Sequence, residues 1–186
     1  MPTSKPLLSR RLAMYWRMEL LNVAIVPAFA VFVSVAVGQP LGYLSLLSLL
    51  PTVLLLVIGG LYWRGKAHQL LRREAPLDSV LLWAGRLRPA ALALVALAGV
   101  LCAVDLLAVR LSVSLADRVV ALCSTALAAL EYVNYYSVQL QHFDHWADFS
   151  RLVRGRGFRT AHLRADLDAR RAPTPTGPAA GRRVVS

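Results

Sequence analysis

Acidic residues are scarce in this chain. Asp and Glu number 10 against 21 Lys and Arg, a formal net charge of +11. Charged residues make up 17% of the 186, below the ~25% of soluble domains, while 57% are hydrophobic. That balance argues against both an ordinary soluble domain and a disordered chain. Cysteine is limited to Cys102 and Cys123, each within an apolar run and neither in a CxxC, so thiol redox chemistry has no motif. Also missing are a P-loop, a dinucleotide-binding glycine motif, a GxSxG elbow and an HExxH pair. The Glu-x-x-His pairs of di-iron bundles do not occur, and there is no convincing internal repeat. Lysine appears only as Lys5 and Lys66. With abundant Ala and Leu, that bias matches a GC-rich bacterial genome, and a bacterial cytoplasmic (inner) membrane is the expected location.

What the chain does have is long apolar runs. A membrane-spanning helix needs ~20 mainly apolar residues. Four runs qualify, at about Leu20–Val37, Leu44–Trp63, Pro89–Val109 and Val119–Leu140. They are too long, and lack the period-two alternation, for transmembrane strands. The expected fold is all-α, a polytopic bundle of four transmembrane helices. Lys and Arg cluster before the first run, between the second and third, and after the fourth. Only Arg110 and Arg118 lie on the other side, so 19 of the 21 basic residues share one side. The positive-inside rule then places both termini and the middle loop in the cytoplasm. A cleavable leader ending near Ala36-Val37-Gly38 is the rival for the first run, but the run exceeds an h-region of roughly 7–15 residues.

The expected organisation is a basic cytoplasmic segment over 1–19, a four-span domain over 20–140 with a cytoplasmic loop at 64–88, a basic amphipathic segment over 141–171, and a disordered tail over 172–186. Residues 1–8, with two prolines, read as loose, and Leu12–Glu19 as helix leading into the first span. Pro27 and Pro51 are expected to kink their spans. The middle loop is expected to carry a short interfacial helix through Leu77, Leu81, Ala84 and Leu87. Trp146, Phe149, Leu152 and Val153 interleave with Arg151, Arg154 and Arg156, and Arg159 follows. These arginines form the predicted lipid-facing basic patch on an anionic leaflet. Gly59-Gly60 offers another helix a close approach.

The fourth run is the unusual one. Its eight Leu and Val residues supply roughly −2 to −5 kcal/mol of insertion free energy, and a central charge such as Glu131 costs about 2.5–3.5 kcal/mol. Such a helix needs partners, and Glu131 is expected to face the bundle. At about 100° per residue, Asn134, Tyr135, His142 and His145 fall on the Glu131 side if the helix continues unbroken. On the first run Tyr15, Glu19 and Asn22 form a matching set at i, i+4, i+7. The candidate polar site is therefore Glu131, Asn134, Tyr135, His142, His145, Glu19 and Asn22.

Three uses of that site compete: interhelical hydrogen bonding, a proton, ion or solute path, and a metal centre. His142 and His145, at i, i+3, are the candidate metal ligands, with Asp144, Asp148, Glu19 or Glu131 to add oxygens. HxxH alone is a weak signal, and no cofactor is expected beyond that metal ion. All four histidines lie at or beyond the cytoplasmic boundary, which leaves a haem between spans without ligands. The expected role is a non-catalytic membrane accessory or scaffold protein with a basic cytoplasmic face. Its expected partners are the bilayer and its anionic headgroups, with a membrane-protein partner or a second copy. Nucleic acid is discounted because orientation already explains the positive charge. The alternative is a membrane enzyme or small transporter working at Glu131, Tyr135, His142 and His145.

Overall fold

The computed structural model describes residues 4–70, 73, 75–107, 110–140 and 159–171. They form five helices and no strand: α1 (Ser4–Val37), α2 (Tyr43–Leu70), α3 (Ala75–Leu107), α4 (Leu115–Tyr136) and α5 (His162–Arg171). One isolated antiparallel bridge joins Val138 to Thr160. Three helices are long and apolar enough to cross a membrane, over Arg11–Val37, Tyr43–Leu70 and Pro76–Leu107. This is the composition of a membrane protein. The fourth run is not among them. Asp117 and Arg118 near the start of α4, and Glu131 and Asn134 near its end, keep its apolar stretch short.

α2 is the central helix and packs against α1, α3 and α4. Its buried face includes Ser45, Ser48, Thr52, Leu55, Leu56, Gly59 and Tyr62. By contrast α1 turns Phe29, Phe32 and Val35 outward, the surface expected of a helix bathed in lipid.

Several boundaries differ from the expectation. α1 begins at Ser4, inside the segment read as loose. α2 runs seven residues past Trp63 and α3 starts at Ala75, so most of the expected loop 64–88 is helical. The interfacial helix is not separate but is the first part of α3. Leu77, Leu81 and Ala84 recur at i, i+4, i+7 and bury in the same core as Leu55, Tyr62 and Tyr136. That packing carries the helix through Arg86, Arg88 and Pro89. Pro27 and Pro51 likewise lie inside helices. The fourth helix stops at Tyr136, short of Leu140. The Ser137 and Val138 amides both return to the Val133 carbonyl, and the chain leaves to pair with Thr160.

The two ends of the bundle are built differently. At the end away from the basic clusters, α1 closes on Gly38 at φ 66. The Gly38 amide bonds the Val35 carbonyl and the Gln39 amide the Ser34 carbonyl, a helix stop that needs a left-handed residue. Asp117 then ties three segments together. Its Oδ1 accepts from the Gly42 amide (2.9 Å) and the Ser45 amide (3.0 Å), and its Oδ2 from the Val113 amide (3.0 Å). Gln39 Oε1 accepts from the Ala116 amide, and the Ser114 hydroxyl, which caps α4, donates to the Pro40 carbonyl. Asp105, at the end of α3, accepts from the Leu111 and Ser112 amides and pairs with Arg118 at 2.7 Å. Loop and helix-start amides at this end are thus satisfied by side-chain oxygens, five of them by the Asp105 and Asp117 carboxylates.

At the basic end the ties are long side chains. The Trp63 ring meets those of Tyr15, Tyr62 and His162. Arg17 and Arg64 lie near the Trp16 ring, and Arg88 near that of Tyr136. α5 docks here through Leu163 and Leu167, with Tyr62 donating to Asp166 (2.7 Å) and Lys66 pairing with the same carboxylate (2.8 Å).

Candidate functional site

Between the two ends runs a polar seam on α2. Ser48 and Thr52 are fully buried, each bonding back to the carbonyl four residues earlier. The single Thr52 O–H is shared between the Ser48 carbonyl (3.3 Å) and the nearer Ser124 carbonyl on α4 (2.9 Å). Cys102 Sγ sits 3.4 Å from Thr125 Oγ1. Each group is answered within the bundle, so the seam reads as helix–helix glue.

The candidate site lies beyond this seam, toward the basic end. Glu19 of α1, only 9% exposed, accepts a hydrogen bond from the Tyr135 hydroxyl of α4 (2.8 Å to Oε1). Glycine on α2 makes room for the pair. A Cβ at Gly59 would run into the Tyr135 ring and hydroxyl, and one at Gly60 would come within 2.7 Å of Leu20 Cδ2. Glu131 stands one turn before Tyr135, near enough to Glu19 for the two charges to interact. Glu19 Oε2 and Glu131 Oε2 are both buried with no hydrogen-bond partner among the described residues. Chemically this is a pair of carboxylates, one phenol and one amide, enclosed by three helices and offering two free acceptor oxygens.

The sequence-predicted residues divide into three groups. Glu19, Glu131, Asn134 and Tyr135 are brought together. Asn22 is half-buried on α1, one turn from Glu19. The expected stripe through His142 and His145 is broken, because α4 ends at Tyr136 and Asn134 Oδ1 caps the exit by accepting from the Leu140 amide (2.9 Å). His142 and His145 themselves lie outside the described residues, as do Arg151, Arg154 and Arg156, whereas Arg159 is exposed. Among the described residues no group of three His, Cys, Asp or Glu is placed to hold a metal. A small polar cleft between α2, α4 and α5 borders the site, lined by Tyr62, Trp63, Asn134, Tyr135, Gln139, His162 and Leu163.

Sequence reasoning missed Asp117, which accepts from three backbone amides. A signal was present: Ser114-x-x-Asp117 is a capping pattern at a helix start.

Comparison with known proteins identifies no relative. No protein-family model matches the chain, and neither a curated protein nor a solved structure does.

Proposed function

We propose that this chain is a four-span protein of a bacterial cytoplasmic membrane, both termini inside, acting as a non-catalytic accessory or scaffold protein. Its basic end would rest on anionic headgroups or on a membrane-protein partner. The observation that carries this is the construction of that end. Arg17, Arg64 and Arg88 are held beside aromatic rings, and α5 is docked across the same end by Tyr62, Lys66 and Asp166. Tryptophan, tyrosine and arginine at one level are the composition of a membrane–water boundary. The matching of α4 to α2 supports the fourth span. α4 meets the start of α2 through Asp117 and its middle through Ser124, and its 22 residues reach ~33 Å, enough for a ~30 Å core. Asp117, Arg118 and Tyr135 find their partners within the protein rather than in lipid.

Reporter fusions after Gln39, Arg73, Ser114 and Ser186 test the arrangement. Cytoplasmic signals are expected at Arg73 and Ser186, and periplasmic ones at Gln39 and Ser114. A periplasmic signal at Ser186 overturns the orientation.

A second reading, a membrane enzyme or small transporter, is favoured by the buried Glu19–Tyr135 contact beside Glu131. Intramembrane carboxylates are rare and are often placed for use. Proton flux into vesicles carrying the protein or its Glu131→Gln variant decides this reading, and equal flux removes it. The same reading leaves a metal at His142 and His145 as a proposal. Metal analysis of the wild type and of His142→Ala and His145→Ala tests it.

A further inference from the structure

Arg17 of α1 and Arg64 of α2 converge on one indole. Their guanidinium carbons lie 5.4 Å and 6.0 Å from the centre of the Trp16 ring, within the ~6 Å reach of a cation–π contact. Both arginines are exposed. Arg17 stands twenty residues before the end of α1 and Arg64 twenty-one after the start of α2, ~30 Å and ~32 Å of helix. Each is therefore about one hydrocarbon thickness from the turn at Gly38, and the two share a level. Other cations of this end are engaged within the protein. Lys66 pairs with Asp166, Arg164 with Asp168, and Arg170 donates to the Asp78 carbonyl. Arg17 and Arg64 have no carboxylate partner among the described residues. A ring face leaves a guanidinium its full charge and its fork of N–H donors. Below Arg17 the same side of α1 carries Leu21, Ala24, Ile25 and Ala28, all exposed, at i+4, i+7, i+8 and i+11. This apolar stripe descends from the arginine pair into the hydrocarbon level.

We propose that Trp16, Arg17 and Arg64 form a binding site for the phosphate of one anionic phospholipid, with an acyl chain lying along α1 over Leu21, Ala24, Ile25 and Ala28. The site rests on the reading of the basic end as the membrane–water boundary. Guanidinium forks match phosphate oxygens two at a time, and such paired, charge-assisted hydrogen bonds are the strong ones. Tryptophan is itself at home at headgroup level. A soluble phosphate offers the same oxygens but no chain for the α1 stripe, so a lipid is the occupant. The site differs from the general attraction of an anionic leaflet, which every exposed arginine at this end supplies. It is one place, built by three side chains from two helices.

The experiment titrates the full chain, purified in neutral detergent, with dioleoyl phosphatidylglycerol or dioleoyl phosphatidylcholine and counts bound lipid by native mass spectrometry. One phosphatidylglycerol is expected to bind about tenfold more tightly than phosphatidylcholine, whose choline cation cancels the phosphate charge. The double variant Arg17→Gln/Arg64→Gln is expected to erase that preference. Arg86→Gln/Arg171→Gln removes the same charge from two other exposed arginines of this end and is expected to keep it. Glycerol phosphate at equal concentration is expected not to displace the lipid. A preference that survives Arg17→Gln/Arg64→Gln, or that falls equally in both double variants, overturns the site and leaves the general attraction standing. Displacement by glycerol phosphate overturns the lipid as occupant. Equal binding of the two lipids by the wild type overturns the site together with the headgroup contact on which it rests, and that comparison needs no variant to fold.

Discussion

The Tyr135 hydroxyl reaches Glu19 across 116 positions of sequence and donates to its carboxylate at 2.8 Å. This bond joins the first and fourth helices at a step of α2 where two glycines leave no side chain in the way. Its removal leaves Glu19 with no hydroxyl donor at all. Tyr135→Phe is expected to cost about 1–3 kcal/mol, the penalty of a buried acceptor left unmade. Glu19→Gln in the same background is expected to cost less than it does alone, because the two act as one unit. Denaturant titration of the four proteins in a double-mutant cycle measures the coupling, and additive losses contradict it.

Gly59 and Gly99 make a contrasting pair. A Cβ at Gly59 collides with Tyr135, whereas one at Gly99 meets nothing within 4 Å. Gly59→Ala is expected to destabilise by about 1–3 kcal/mol through overpacking. Gly99→Ala is expected to be neutral or to stabilise by up to about 1 kcal/mol, the helix-propensity difference. Thermal unfolding in neutral detergent checks both, and equal effects would show that α4 does not press on α2 at this step.

Asp117 is the acceptor for three backbone amides from two loops and the start of α2. Asparagine keeps one oxygen and replaces the other with a donor facing the Val113 amide. Asp117→Asn is therefore expected to cost about 1.5–3 kcal/mol, the range for hydrogen bonds to a charged group. Hydrogen exchange should speed up at Gly42, Ser45 and Val113 and not at the basic end. Uniform exchange changes would contradict a local latch.

The docking of α5 rests on Leu163, Leu167 and the Tyr62–Asp166 bond. The accompanying Lys66–Asp166 pair is about a quarter exposed on each side, so it adds little. Tyr62→Phe is expected to loosen α5 by about 1 kcal/mol, and Leu167→Asp to release it. Limited trypsin digestion at Arg164 and Arg170 reads this out, with faster cleavage in both variants and fastest in Leu167→Asp. Unchanged cleavage would mean that α5 is held by other contacts.

Long apolar runs carried most of the fold legible in the sequence, because length and composition alone select helices able to cross a bilayer. What the charges suggested was less faithful. Arg64, Lys66, Arg86 and Arg88 read as loop residues, yet all four lie on helices α2 and α3. A long cationic side chain can run outward from a helix end without breaking it. The Leu77, Leu81, Ala84 spacing was visible, but nothing local to the sequence said that it would fuse with the next span through Pro89. In the site, i, i+4 spacing put Tyr15 with Glu19 on the first run and Glu131 with Tyr135 on the fourth, but which residue would meet which was not legible, because that depends on how the two helices pack on Gly59 and Gly60. The histidine stripe failed because it assumed an unbroken helix, and Asn134 serves instead as the cap where α4 ends. Asp117 went unread because its partners, Gly42 and Ser45, are backbone groups far away in sequence, and backbone amides leave no residue pattern.

The polar contacts that tie α4 to α1 and α2 run to segments made before it. Asp117 grips the start of α2, the Ser124 carbonyl receives Thr52, and Tyr135 reaches back to α1. Synthesis runs from the amino end, so these receptors are already in place when α4 leaves the ribosome. In a rearranged chain that delivered α4 first, the Asp117 carboxylate and the Tyr135 hydroxyl would emerge before the groups that receive them.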